Sequence, residues 1–288
     1  MVPMLKLCPG KRFLIFQKVL FLALSAFLGA CVSVPGGLEF THNGAPLAAC
    51  EEGHAGIPEA EQALDPDGFT LATWNIYKGK LSGWREDLQK LYRESDIVLL
   101  QEARLDPGLL KWLARSTADW SMAHAFTFRN HWTGVLTAAR VPQATPCAQR
   151  YVEPHLRLPK TVLISYFPFK GSKALLLVVN MHGVNFTLDG KALAEQLQAF
   201  ESVVERHPGP VILAGDLNTW SSVRMNLVEE FARRHGLKSV KFERSPATHF
   251  GNRVDHVYYR GLVPLQSRVI RVDSSDHYPL VVRFKRGT

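Results

Sequence analysis

The feature that most constrains this chain is a repeated one: apolar, strand-length runs that end in a carboxylate, an amide or an imidazole. Residues 69–76 deliver Asn75, and 96–102 deliver Gln101 and Glu102. Residues 173–182 deliver Asn180 and His182, and 209–218 deliver Asp216 and Asn218. Asp255 and the pair Asp276-His277 flank the last apolar runs. In sheets covered by helices, sites form at the ends of central strands. Residues i and i+2 of a strand share a face. Asp216 and Asn218 therefore point together, as do Asn180 and His182. Asp255 and His256 point apart, which assigns Asp255 to the site and leaves His256 outside it.

Glu102, Asp216, Asp255 and Asp276 crowded at one edge would repel unless a cation or protonation relieved them. An oxygen donor set without thiolate suits a hard ion, Mg²⁺ or Mn²⁺. Such an ion polarises a phosphoryl oxygen while a nearby acid or histidine takes a proton from water. His182 and His277 can donate to the charge that builds on phosphorus.

The remaining pattern supports sheets with helical cover. Helical spacing of apolar residues predicts helices over 84–95, 109–116, 190–206 and 222–235, and strands are expected at 134–140 and 161–167. Three strand-like runs, VDHVYY, SRVIRV and YPLVVRF, close the chain. Adjacent strand pairs among the helices indicate mixed α and β structure, not a strictly alternating barrel. With 46% hydrophobic and 21% charged residues over 288 positions, the chain has ample core material, which excludes a disordered or collagen-like protein. Only one stretch is apolar enough to touch a membrane, which excludes a polytopic channel.

Charge is unevenly distributed. Residues 31–68 hold seven acids and no Lys or Arg, whereas residues 69–288 hold 30 basic and 19 acidic residues, a net +11. A basic body favours anionic partners: nucleic acid, phospholipid head groups or other phosphate esters. The N-terminus carries Lys6, Lys11, Arg12 and Lys18 before an apolar run of 12 residues, 19–30. That is the architecture of an export signal. Leu28-Gly29-Ala30-Cys31 resembles a bacterial lipobox, which implies cleavage before Cys31, lipidation of that cysteine and a membrane-tethered envelope protein. Residues 31–68 read as a linker. Cys50 and Cys147 remain in an oxidising compartment, either paired or free.

Seven segments in order resemble the endonuclease/exonuclease/phosphatase superfamily, the DNase I-like fold: TWNI (73–76), LLQEAR (99–104), GVLTAAR (134–140), VVNMHG (178–183), LAGDLN (213–218), RVDHVYY (253–259) and SSDHYPLVV (274–282). The resemblance implies a catalytic domain over 69–288. Its fold would be an α/β (α+β) four-layer sandwich, two packed mixed β-sheets flanked by helices. It also implies a metal-dependent hydrolase in which water attacks a phosphate ester directly. Carried over by position, Glu102 is the principal metal ligand, supported by Asn75 and Asp276. Asp216 orients or deprotonates the water, with Asn218 as its amide partner. His182 contacts phosphate, His277 binds phosphate or acts as general acid, and Asp255 orients a histidine. Arg104 matches a substrate-backbone contact. Tyr77 stands where abasic-site endonucleases carry an acid. The leading expectation is a monomeric Mg²⁺- or Mn²⁺-dependent nuclease. The alternatives are a sphingomyelinase-like phospholipid phosphodiesterase, for which Trp132 and Trp220 are candidate exposed aromatics, and a non-catalytic binding module.

Overall fold

A computed structural model describes residues 32–46 and 62–287, apart from 155, 188, 244, 245, 247 and 250. Among the described residues, nine strands form one sheet and six form another. The larger runs, in spatial order, Leu262–Val269, Leu280–Arg286, Phe69–Asn75, Ile97–Arg104, His131–Ala139, Asp119–Phe128, Glu39–His42 and Ala45–Pro46, with Val32–Ser33 also against Asp119–Phe128. The smaller runs Lys238–Ser239, Asp255–Arg260, Val211–Asp216, Leu175–His182, Pro159–Pro168 and Ala144–Val152. Each sheet contains one parallel pair at its centre, Phe69–Asn75 with Ile97–Arg104 and Leu175–His182 with Val211–Asp216; the other pairings are antiparallel.

Burial follows from the near-continuous apolar character of these central strands, which suits strands covered on both faces. Leu71, Leu99, Val178 and Ile212 fill the space between the sheets. Ala72, Trp74, Val98 and Leu100 face outward onto helices α1 (Trp84–Arg93) and α2 (Pro107–Ser116). Val179, Met181 and Leu213 face the opposite way, onto α3 (Lys191–Arg206) and α4 (Ser222–Arg234). The result is a four-layer sandwich. Helix α1 buries Trp84, Leu88, Leu91 and Tyr92 on one stripe, with Glu86 and Asp87 in its first turn and Lys90 and Arg93 in its last, complementing the helix dipole. Helix α2 begins two residues before its expected start, because Asp106 caps it by accepting from the Leu109 N–H at 2.9 Å and Pro107 follows.

The sheets also meet through polar groups. Gln101 Nε2 donates to Asn180 Oδ1 at 2.8 Å and to Thr73 Oγ1 at 3.1 Å, and Asn180 Nδ2 donates to the Leu136 carbonyl at 3.0 Å. Asn180 is fully buried there. Although it shares a face with His182, it serves the seam between the sheets.

One expectation is corrected. Residues 31–68 are not a linker throughout. Val32–Ser33 and Glu39–His42 pair with Asp119–Phe128, Phe40 packs with Ala123, Val135 and Leu163, and Leu64 bridges to Phe169. Buried apolar side chains and an available sheet edge recruit this segment, so the folded unit begins well before residue 69. The strands Asp119–Phe128 and Ala144–Val152 had no clear sequence signal. Buried Ser121 and His124 interrupt the apolar run of the first. Residues 1–31 and Cys50 lie outside the described residues, and with them the expected leader and lipidated Cys31. Cys147 is disulfide-bonded.

Gly215 sits at φ 139° one residue before Asp216, and a Cβ there would lie 2.0 Å from the Met181 carbonyl oxygen. Gly215→Ala is therefore expected to lower unfolding stability by at least about 2 kcal/mol, read by thermal or urea denaturation.

Candidate active site

The parallel pairs bring their polar ends to the same edge. Asn75 is in register with Gln101, His182 with Asp216, and Asp216 with Asp255 on the antiparallel neighbour. Glu102 reaches the cleft through a break in the ladder. The register of Ile97–Arg104 against His131–Ala139 shifts between Leu100 and Ala103, and Glu102 adopts φ 51°. This irregularity turns Glu102 outward while Gln101 stays in the seam. A cleft of about 540 Å³ results, whose walls include Asn75, Glu102, His182, Asp216, Asn218, Asp276 and His277.

Asp216 is the most constrained of these. Its Oδ2 accepts from Asn75 Nδ2 at 2.9 Å, a bond that crosses from one sheet to the other. Its Oδ1 accepts from the Asn218 backbone N–H at 3.0 Å, and the Asn218 side chain donates to the Gly183 carbonyl at 2.8 Å. His182 Nε2 lies 3.4 Å from Asp216 Oδ2, and His277 Nε2 lies 3.9 Å from it. Burial alone would raise the pKa of Asp216. The His277 charge is the largest of the attractions that outweigh it and hold this carboxyl below the ordinary range, so Asp216 is an anion.

Behind His277, Asp255 Oδ2 accepts from Nδ1 at 2.7 Å. Burial pulls the His277 pKa down, but Asp255 and then Asp216 push it up to about 10, so the ring is a cation at neutral pH. Asp216, Asp255 and His277 present atoms within 4.8 Å of one another. A protonated imidazole has no lone pair for a metal, so these three form an acid–imidazole–acid set. His256 turns to Thr219 Oγ1 at 2.7 Å on the opposite face. Burial pushes its pKa down to about 4, and it takes no part in the cleft wall.

In the same cleft, Glu102 and the exposed Asp276 offer carboxylates, and Asn75 offers Oδ1, which accepts from the Tyr77 N–H at 3.1 Å and keeps a second lone pair. These oxygens fit a hard divalent cation. A cation already stands against one of them: Lys78 donates to Glu102 Oε2. Burial alone would raise the Glu102 pKa, but Lys78 and then Lys160 bring it down to about 2.

Arg104 is not brought to the cleft. Its Nη2 donates to Asp106 Oδ2 at 2.9 Å, tying it to the cap of α2. Trp132 stacks on His124 with ring centroids 4.7 Å apart, whereas Trp220 does line the cleft.

Several residues that shape the site carried no sequence signal. Glu153 Oε1 accepts from the Asn185 N–H at 2.6 Å, and Asn185 Oδ1 accepts from Trp220 Nε1 at 2.7 Å and from the Phe186 N–H at 3.0 Å. This chain fixes one rim of the cleft and presents Phe186, 56% exposed. Arg224 is fully buried and donates to the Asn218, Thr187 and Val184 carbonyls, clamping two cleft loops together. Lys160 lines the cleft with its Nζ 2.8 Å from His182 Nε2. In sequence each of these reads as an ordinary surface charge or loop residue.

A family model described as the endonuclease/exonuclease/phosphatase family matches residues 72–277. The chain belongs to that family. It is therefore a phosphoesterase by family, and the expected four-layer fold is the one observed. A UPF0294 protein of Yersinia pestis is 37% identical over 233 residues, covering 80% of this chain and 88% of the relative. The solved structure of ANGEL2, a 2′,3′-cyclic phosphatase in complex with adenosine-2′,3′-vanadate, superposes with a TM-score of 0.61 at 14% identity, covering 79% of this chain and 98% of that one. D. rerio TDP2 complexed with a single-strand DNA product gives a TM-score of 0.54 at 16% identity, covering 76% and 99%. At these identities the two structures attest the fold.

Asp255→Asn removes the largest attraction holding the proton on His277. The His277 titration midpoint is expected to fall by at least about one pH unit in imidazole NMR. A raised histidine pKa stabilises the fold fully below the unfolded value near 6.5, and that stability fades as pH rises through about 10. The variant should lose part of this alkaline decline, read by melting temperature against pH.

Proposed function

We propose that this protein is a divalent-metal-dependent phosphodiesterase that cleaves nucleic acid by direct attack of water. The observation that carries this reading is the pairing of an ionised Asp216 with a cationic His277 in the same cleft as the oxygens of Asn75, Glu102 and Asp276. The ester-hydrolysing class comes with the family; the metal, the residue roles and the substrate are our proposal.

Asp216 accepts a hydrogen bond from the attacking water and orients its lone pair toward phosphorus. A carboxylate held this far toward its ionised form is a weak base, so positioning is its main contribution. His277 donates through Nε2–H toward the phosphoryl charge that grows as the water–phosphorus bond forms and the ester P–O bond breaks. Asp255 keeps the ring protonated and fixes its plane. Asn75 holds Asp216 in place through Nδ2 and turns Oδ1 toward the metal side. Glu102, Asp276 and Asn75 would hold Mg²⁺ or Mn²⁺, which would supply Lewis-acid polarisation of a phosphoryl oxygen.

Nucleic acid is favoured as substrate by the net +11 of residues 69–288. Two structural neighbours, one in complex with adenosine-2′,3′-vanadate and one with a single-strand DNA product, are in keeping with the same choice. A second reading, phospholipid hydrolysis, has its own support in Phe186 exposed on the cleft rim.

Purified full-length protein should nick plasmid DNA or degrade RNA in Mg²⁺ or Mn²⁺, and EDTA should stop it. Glu102→Gln should lower turnover at least about a hundredfold while the chain remains folded by circular dichroism. Turnover that survives EDTA, or a fully active Glu102→Gln protein, would remove the metal assignment. Hydrolysis of sphingomyelin vesicles with no polynucleotide cleavage would transfer the proposal to the lipid reading.

From the sequence we also propose an envelope location with a lipid on Cys31. Radiolabelled palmitate should enter the protein in a bacterial host, and Cys31→Ser should abolish that labelling. Equal labelling of the variant would end this part of the proposal.

A further inference from the structure

Lys160 is the second residue of the strand Pro159–Pro168, in register with Tyr151, and its side chain runs to the end of the neighbouring strand Leu175–His182. Its Nζ stops 2.8 Å from His182 Nε2. A lysine placed in a protein wall for structural reasons is ordinarily paired with a carboxylate. Among the described residues no ion pair joins Lys160 to one; Glu102, Glu153 and Asp216 act on it only at longer range. Its neighbour is a ring nitrogen, and its surroundings are the cleft.

The chemistry of this contact decides what His182 can do. Burial lowers the Lys160 pKa while the Glu102, Glu153 and Asp216 charges oppose that shift and favour the ammonium form, which donates and cannot accept. The nitrogen facing it must therefore present its lone pair, and His182 is neutral with Nε2 unprotonated. Burial, and then the Lys160 charge, lower the His182 pKa, in keeping with that form. The 3.4 Å approach of Nε2 to Asp216 Oδ2 is then a contact without a shared proton. A ring in this state has no N–H on its cleft side to offer a phosphoryl oxygen. Lys160 uses one of its three N–H groups on His182 and has two left.

Resting on the phosphoester reading of the cleft, we infer that Lys160, held by His182 as its acceptor, is the cation that binds the phosphoryl oxygens on this wall. The phosphate-contacting role expected of His182 passes to Lys160, and His182 becomes its positioning residue. Substrate phosphate is thus gripped between Lys160 on one side and His277 on the other, with Asp216 between them.

Two measurements on full-length protein in EDTA test this without turnover. In ¹⁵N imidazole NMR the Nε2 of His182 should appear as an unprotonated acceptor nitrogen; a protonated Nε2 in the wild type would overturn the inference. Inorganic phosphate, titrated by calorimetry, should bind the wild type. Lys160→Met should weaken that binding at least tenfold, about 1.4 kcal/mol. Lys160→Arg should restore most of it, and His182→Gln, which keeps an acceptor oxygen, should lose less than Lys160→Met. Unchanged phosphate affinity in Lys160→Met, or no phosphate binding by the wild type at tens of millimolar, would overturn the proposal. Should Lys160→Met fail to fold, Lys160→Arg and the wild-type NMR still decide it. Lys160-dependent phosphate binding in a protein that cleaves no polynucleotide would refute the nuclease reading and leave this inference standing.

Discussion

A single buried carboxylate at the seam of two sheets organises this molecule. Asp216 ends a strand of the smaller sheet, and its Oδ2 takes a hydrogen bond from Asn75, which ends a strand of the larger one. An anion in that position is tolerable only if its lone pairs are filled and a positive charge is near. Asn75, the Asn218 backbone and the His277 cation supply both. His277 in turn is a cation because Asp255 stands behind it. The same bonds that make burial of Asp216 affordable are the ones that aim it at the cleft, so stability and site geometry are one arrangement here.

Backbone irregularity recurs around this point. Tyr77, Lys78, Glu102, Phe186 and Asn218 all have positive φ although none is glycine. Each borders or enters the cleft, and each is held by its surroundings. Glu102 sits in a break of the ladder, Asn218 is fixed by Gly183 and Asp216, and Phe186 is fixed by Asn185. Such conformations cost on the order of 1–3 kcal/mol each and persist where neighbouring contacts over-determine them. The buried Arg224, bound to carbonyls on two cleft loops, is one of those contacts.

Much of the site could be read before any coordinates, for a local reason. A strand fixes side-chain direction at every second residue, and an apolar run that stops at a polar residue marks where it leaves the core. That logic reached Asn75, Glu102, His182, Asp216, Asn218, Asp276 and His277, which the structure places around one cleft, with Asp255 directly behind. It failed for Arg104, whose direction is settled by Asp106, a neighbour two residues on whose capping duty had no separate signal. It also failed for residues 32–46, where a segment without sustained apolar period gained its order from an edge strand distant in sequence.

The sequence by itself determined most of the strands, the four amphipathic helices and the set of acids, amides and imidazoles that meet at one edge. Those properties follow from periodicity and from residue chemistry, which act over a few neighbouring positions. Only the tertiary structure decided which cation meets which anion. Lys78 stands on Glu102 and Lys160 on His182, whereas Asp255 holds the proton of His277. Protonation states depend on burial and on charges a few ångströms away, contributed by segments distant in the chain. No spacing rule encodes that proximity; it exists only once the two sheets have packed.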